Sequence, residues 1–144
     1  MFFFDEPPMQ LIETVSPDYL WYFLPIGYLT TILIETTVLI FLLTPRLSIK
    51  QKLLCGIWLT ACTYPIVVLV LPLLLGSISW MLYLVVAESF AHFGECVIFW
   101  LAFRGREDFA RNDWVRCFVA ILLANFASFS IGEVLNHFRW FGLF

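Results

Sequence analysis

Charge is what this chain has least of. Lys, Arg, Asp and Glu make up 13% of its 144 residues, where a soluble domain carries roughly 25%. Hydrophobic residues reach 62% and the mean hydropathy is +0.92. A soluble chain of this composition would expose large apolar patches and aggregate, so lipid is the consistent solvent. Basic residues are scarce too: eight Lys and Arg stand against eleven Asp and Glu. They form no stripe interleaved with aromatics, and nothing points to a nucleic acid partner. Four cysteines occur, Cys55, Cys62, Cys96 and Cys117. None has a C-x-x-C spacing, which argues against a disulfide framework or a thiolate zinc site. They read as reduced, small core residues. No period-two alternation appears, which excludes a β-barrel. The opening MFFFDEPPMQ lacks a positive n-region and places Asp5, Glu6, Pro7 and Pro8 where an apolar h-region belongs, so no cleavable signal peptide is expected. Nucleotide, serine-hydrolase and zincin motifs are missing as well.

What is present is long apolar runs. Residues 1–18 read as an interfacial or extracytoplasmic segment, with a short surface helix expected over 8–15. Residues 19–144 read as one transmembrane domain, with spans at about 19–43, 53–75, 79–103 and 117–140. Each run meets the roughly 20 residues that a 30 Å hydrocarbon core requires. Tyr19, Trp21 and Tyr22 open the first span, and Trp80 and Tyr83 the third, as an interfacial aromatic belt does. Residues 76–79 are too short for anything but a tight hairpin between spans two and three. The fold class expected is therefore all-α, a four-helix transmembrane bundle of up-down topology.

Charge sets the direction. Arg46, Lys50 and Lys52 lie in the first loop, and Arg104, Arg106, Arg111 and Arg116 in the third; only Arg139 lies elsewhere. The positive-inside rule puts both basic loops in the cytoplasm and both termini outside. The third loop, with Glu107, Asp108 and Asp113, reads as a solvated charged face with Trp114 at the interface. A bacterial inner membrane, or another energy-coupling membrane, is the expected location.

Polar residues inside these runs carry the functional question. Glu35, Glu88, Glu95 and Glu133 lie within them, with His92 and His137, and no Lys or Arg is placed to pair with them. An ionised carboxylate at mid-bilayer costs about 3 kcal/mol even on the mild insertion scale. Each must face the bundle interior, hold a proton or meet a cation. Counting depth at about 1.5 Å per residue gives two layers. Glu35 and Glu95, with Asn125, form the inner one; Glu88 and Glu133 form the outer one, with His137 above and His92 between. Glu88, His92 and Glu95 share a helical stripe (i, i+4, i+7), and Asn125, Ser128, Gly132 and Asn136 make another. Ala87, Ala91, Gly94, Ala124, Ala127 and Gly132 accompany them, so spans three and four are expected to pack tightly. Span two offers Thr60, Thr63, Tyr64 and Pro65. The proline frees the carbonyl of Ala61, which with Tyr64 is expected to face the carboxylates. Thr31, Thr36 and Thr37 flank Glu35.

Three readings follow. In the first, Glu88, His92, Glu133 and His137 hold one divalent metal, zinc, iron or manganese. A dinuclear carboxylate site is ruled out, because Glu88 and Glu95 stand about 10 Å apart along the axis. A bis-histidine haem suffers from a similar separation of His92 and His137. In the second, the order His137, Glu133/Glu88, His92, Glu95/Glu35 is a proton or cation path, with Tyr64, Thr63, Ser128 and Asn125 filling its gaps. A chain this small would then work as a homo-oligomer. In the third, the chain is an accessory subunit of a larger membrane complex and its polar groups are interhelical glue. Sixteen Phe suit such a lipid- or partner-facing surface.

Thr63-Tyr64-Pro65, the stretch 88–95, and Ala124-Asn125-Phe126-Ala127-Ser128-Phe129 followed by Gly132 together resemble a pattern in uncharacterised small four-span bacterial membrane proteins. The resemblance covers roughly the second half of the chain. It implies the span count and brings no activity.

Overall fold

In the computed structural model, residues 17–75 and 78–138 are described. The expected N-terminal surface helix and Arg139 lie outside them. Among the described residues there is no strand. Four helices are long and apolar enough to cross a membrane: α1 (Pro17–Leu42), α2 (Ile49–Leu75), α3 (Trp80–Phe103) and α4 (Arg111–His137).

Two helices begin earlier than their apolar runs, because capping chemistry starts them. Ser48 caps α2: its Oγ accepts from the Gln51 N–H at 3.3 Å, and Gln51 Oε1 accepts from the Ser48 N–H at 2.9 Å. This reciprocal box satisfies two donors that a helix start otherwise orphans. At α4 the Asp113 carboxylate accepts from the Ala110 N–H at 3.0 Å, and the helix begins at Arg111, six residues before the apolar run. Ser79 Oγ accepts from the Leu82 N–H at the start of α3.

α2 is not uniform. Its α-helical part ends at Pro65, a π-helical turn covers Ile66–Val70, and Leu71–Leu75 resumes α geometry. Proline carries no N–H, so the i→i−4 ladder breaks there, and the wider i→i−5 turn absorbs the break. The Leu71 N–H accordingly bonds to the Ile66 carbonyl.

The helices form a ring in which α1 packs on α2 and α4, and α3 packs on the same two. The closest packing is that of α1, against α2 and α4, whereas α3 against α4 is looser. This corrects the expectation of a tight span three–four seam. The small residues do not meet as the stripes suggested: Gly94 faces the Thr63 methyl of α2, and Gly132 has open space where a Cβ would sit. The glycine that permits close approach is Gly56, where a Cβ would fall 2.7 Å from Thr36 Cα of α1. That contact leaves the Thr36 hydroxyl buried without a hydrogen-bond partner.

The core sits toward the end that carries the basic loops, termed the basic end below. Leu39, Leu43, Leu47, Cys55, Leu59, Phe99, Phe109, Cys117, Ala120, Ile121 and Ala124 form one buried cluster. The rings of Phe99, Phe103, Phe109, Trp114 and Phe118 stack against one another at its edge. The loop 104–110 is therefore not only a solvated charged face: Phe109 is buried and Trp114 is packed. All four cysteines are free.

Both loops meet at this end. Asp113 accepts from the Thr44 hydroxyl at 2.5 Å and from Arg46 Nε at 2.8 Å. Arg106 clamps Asp108 with two bonds of 2.7 Å and reaches the Arg46 carbonyl at 3.3 Å. The last carbonyls of α1 are capped by cations from two other helices. Lys52 Nζ donates to Ile40 and Leu43 at 3.0 Å each, and Arg116 Nε donates to Leu42 at 2.8 Å. Cations belong at that end of a helix, where the orphan carbonyls and the negative pole of the dipole coincide.

Candidate functional site

The candidate site is built from one polar residue pair on each of α2 and α4 and one glutamate on each of α1 and α3. Thr60 and Thr63 stand one turn apart on α2, as do Asn125 and Ser128 on α4. At i, i+3 such residues share a face, and both faces turn inward. Glu35 enters from α1 and Glu95 from α3, with side chains 3% and 2% exposed, which removes both carboxyls from lipid and water alike.

Each carboxyl bridges the same two helices. Glu35 Oε2 lies 2.6 Å from the Thr60 hydroxyl, and Oε1 lies 2.7 Å from the Ser128 hydroxyl. Glu95 Oε1 lies 3.0 Å from the Thr63 hydroxyl, and Oε2 accepts from Asn125 Nδ2 at 2.6 Å. Every one of these donors also has a carbonyl of its own helix in reach. Thr60 has Gly56 at 2.8 Å, Thr63 has Leu59 at 3.1 Å, Asn125 has Ile121 at 3.1 Å, and Ser128 has Asn125 at 2.9 Å.

Counting hydrogens shows what this arrangement does. A hydroxyl owns one hydrogen and an amide nitrogen two. When Glu95 holds a proton on Oε1, it donates to Thr63, Thr63 donates to Leu59, and Asn125 serves both Glu95 Oε2 and Ile121. All four contacts are then made. Glu35 differs, because both of its neighbours are hydroxyls. A proton on Oε2 faces Thr60 and a proton on Oε1 faces Ser128, and either way three hydrogens serve the four contacts. Among the described residues no Lys or Arg side chain bonds to either carboxyl: Arg46 is committed to Asp113 and Lys52 to the α1 carbonyls. Two bare carboxylates in this dry interior would carry the full desolvation penalty without a countercharge. A protonated carboxyl satisfies the same partners without it.

Of the residues named from the sequence, Glu35, Glu95 and Asn125, expected at one depth, lie in this network, and Ser128, named as filling a gap in the proton path, joins them. Thr60 and Thr63 complete it. They were visible on span two as hydroxyls at helical spacing, but a sequence does not give the rotation that points them at glutamates. Tyr64 packs on Tyr28, with ring centroids 5.7 Å apart, and the hydrogen bonds of the two buried carboxyls go to other residues. The carbonyl freed near Pro65 is not what meets a side chain. Instead the Tyr83 hydroxyl donates at 2.9 Å to the Val67 carbonyl, within the π turn.

The outer layer is placed differently. His92 Nδ1 lies 2.5 Å from the backbone carbonyl of Glu88 and 4.0 Å from its carboxylate, so the pair stays on its own helix. The Glu88 and His92 side chains are 32% and 22% exposed, an order more than the inner glutamates. Glu133 is half-buried. His137 is exposed, with its ring against Phe138. Among the described residues no group of three His, Cys, Asp or Glu side chains gathers closely enough to hold a metal ion.

Below the inner layer, toward the basic end, α1, α3 and α4 continue with apolar residues one turn on, and on α2 the next turn is Gly56, against which the Thr36 hydroxyl is buried. One turn beyond Glu35 comes Leu39, then Leu43; one turn beyond Glu95 comes Phe99; one turn before Asn125 comes Ile121. All four are at most 1% exposed. The site is open to polar neighbours on one side and closed by hydrocarbon on the other.

The chain matches no described protein family, no curated protein and no solved structure. The site is read from its own chemistry.

Proposed function

We propose that this is a multi-pass membrane protein that takes up and holds protons at Glu35 and Glu95, entering by way of Glu88, His92 and Glu133. One observation carries the reading. Two carboxyls sit at the centre of the bundle, each hydrogen-bonded to α2 and α4, with no cation and no metal-binding group beside them among the described residues. A proton is the positive charge that this site has room and partners for. Chains of Glu and His are what intramembrane proton relays use. The gradient from half-exposed Glu88 and His92 to buried Glu35 and Glu95 supports entry from the side away from the basic loops.

In this reading the bundle has up-down topology. Glu35–Thr60 with Ile40–Lys52 on α1 and α2, Thr63–Glu95 with Val67–Tyr83 on α2 and α3, and Glu95–Asn125 with Phe99–Phe118 on α3 and α4 support it, since in each set the position rises on one helix as it falls on the other. The positive-inside rule places the joined basic loops in the cytoplasm and both termini outside, in a bacterial inner membrane or another energy-coupling membrane.

The test uses infrared difference spectra of the protein in lipid, with hydrogen–deuterium exchange, and dye-monitored proton flux in vesicles. Protonated-carboxyl bands are expected at neutral pH, and Glu35→Gln and Glu95→Gln should each remove part of the signal. Glutamine keeps one acceptor and adds donors, so both variants should fold. Proton flux should exceed that of empty vesicles and fall to their level in Glu35→Gln. Absence of any protonated-carboxyl band would overturn the proposal.

A second reading has its own support. Every bond of the inner network is made within the chain, which also suits an accessory subunit whose polar groups lock helices together. Its exposed Phe41, Trp58, Phe93 and Phe126 would then meet other membrane subunits or a second copy. This reading expects full stability and no flux in wild type, with a fixed partner retained in mild detergent.

A further inference from the structure

A second polar–apolar arrangement lies outside the bundle interior and has no part in the proton site. A groove runs down the outer surface between the end of α1 and the first half of α4. It is lined by Leu42, Asn112, Val115, Arg116, Val119, Ala120 and Leu123. Its composition is graded. Asn112 and Arg116 stand at the basic end, and Val119 and Leu123 lie one and two turns deeper, toward mid-membrane. Val115, Val119 and Leu123 are each 43–54% exposed, an apolar floor that none of the described residues covers.

Arg116 is held in place. Its Nε donates to the Leu42 carbonyl at 2.8 Å, which fixes the guanidinium plane at the mouth and leaves its terminal nitrogens as further donors in a fork suited to phosphate. Asn112, four residues earlier on the same face, adds an amide. The surroundings favour an anion. The segment from Arg46 to Arg116 includes the two loops, whose basic residues Arg46, Lys50, Lys52, Arg104, Arg106, Arg111 and Arg116 outnumber Glu107, Asp108 and Asp113 by seven to three.

We infer that this groove is a binding site for one anionic phospholipid of the leaflet at the basic end. The phosphate accepts from Arg116 and Asn112, and an acyl chain lies along Val115, Val119 and Leu123. Charge complementarity selects the headgroup, and the depth of the floor suits an acyl chain. Basic pockets between membrane helices on this side bind anionic headgroups for the same reasons. A second copy of the chain on this face would bury Arg116 against its own like charge, which argues against that occupant.

The experiment is native mass spectrometry of the full chain released from nanodiscs of mixed phosphatidylglycerol and phosphatidylcholine. One phosphatidylglycerol should stay bound in preference to phosphatidylcholine. Arg116→Gln should weaken its retention about fivefold, the equivalent of about 1 kcal/mol for one basic side chain at a membrane surface. Because Arg116 also caps α1, a second variant is needed: Val119→Trp fills the floor, keeps Arg116, and should reduce retention of the same lipid. Far-UV circular dichroism establishes that both variants remain helical. Equal retention of the two lipids, or phosphatidylglycerol binding unchanged in both variants, would overturn the inference. So would a Val119→Cys variant that cross-links efficiently to a second copy in the bilayer.

Discussion

The two halves of this bundle are built to different standards. Toward the basic end, side chains interdigitate: Leu39, Leu43, Phe99, Cys117 and Ile121 are essentially inaccessible, five aromatic rings interlock, and the polar groups described there are largely bonded across the loops. Toward the other end, α2 loosens into a π turn, and Glu88, His92 and Glu133 remain partly open. Glu35 and Glu95 lie at the boundary. The contrast separates two jobs. In the proton-handling reading proposed above, the dense half fixes the helices and blocks passage, and the looser half lets polar groups change state without unfolding anything. A site at the boundary gets a rigid floor and a responsive ceiling.

Substitutions in the dense half should therefore cost most. Phe99→Ala removes a ring that touches Phe103, Trp114 and Phe118. It should lower unfolding free energy by about 3–5 kcal/mol, read by denaturant titration in micelles. A small effect there would erase the distinction between the halves. Gly56→Ala comes next. Its methyl must displace the α1 backbone at Thr36, and overpacking of that kind costs about 1–3 kcal/mol. At the boundary, Thr60→Val or Asn125→Leu removes one partner of a buried carboxyl and should cost about 0.6–1.7 kcal/mol, the measured range for hydrogen bonds between membrane helices. In the open half, Glu133→Gln should leave stability unchanged within about 0.5 kcal/mol while slowing proton entry in vesicles. A large loss of stability instead would place Glu133 with the packed core.

The smallest effect belongs to the exposed loop. Arg106 beside Asp108, donating two hydrogen bonds, holds that carboxyl below the usual aspartate range. The contribution is present above the unfolded aspartate value of about 3.9 and is lost as pH falls through the lower folded value. Asp108→Asn should flatten the acid limb of a stability–pH curve slightly, and 1 M salt should do the same to wild type.

Much of this was legible beforehand, for reasons that can be traced. Hydropathy gives the spans because a helix must cover a fixed thickness of hydrocarbon. The common depth of Glu35, Glu95 and Asn125 follows from a constant rise per residue. Rotation about the helix axis is another matter. The stripe of Glu88, His92 and Glu95 is real, yet only Glu95 turns to the centre, and its neighbours remain at the margin. The same uncertainty left Thr60 without a glutamate to meet, gave Thr63 only as a filler of gaps, and suggested a seam between α3 and α4 that Gly94 and Gly132 do not make. Contacts between the two loops were not legible. Thr44 with Asp113, or Arg116 with the Leu42 carbonyl, depends on how two loops fold over one another. The early start of α2 does have a signal in the sequence: Ser48 followed three residues later by Gln51 is a capping pattern, lying ahead of the apolar run.

The inner network also has a plan that no single bond reveals. The pair α1 and α2 supplies one acid, Glu35, and two donors a turn apart, Thr60 and Thr63. The pair α3 and α4 supplies one acid, Glu95, and two donors a turn apart, Asn125 and Ser128. Each half spends one donor on its own acid and lends the other to its counterpart. The chain is in effect a handshake between two helix pairs that share a blueprint. Neither pair alone can saturate its own carboxyl, so each is incomplete until the other arrives. Co-expressed as separate pieces, the two should still find one another in the membrane, because each is the other's missing partner.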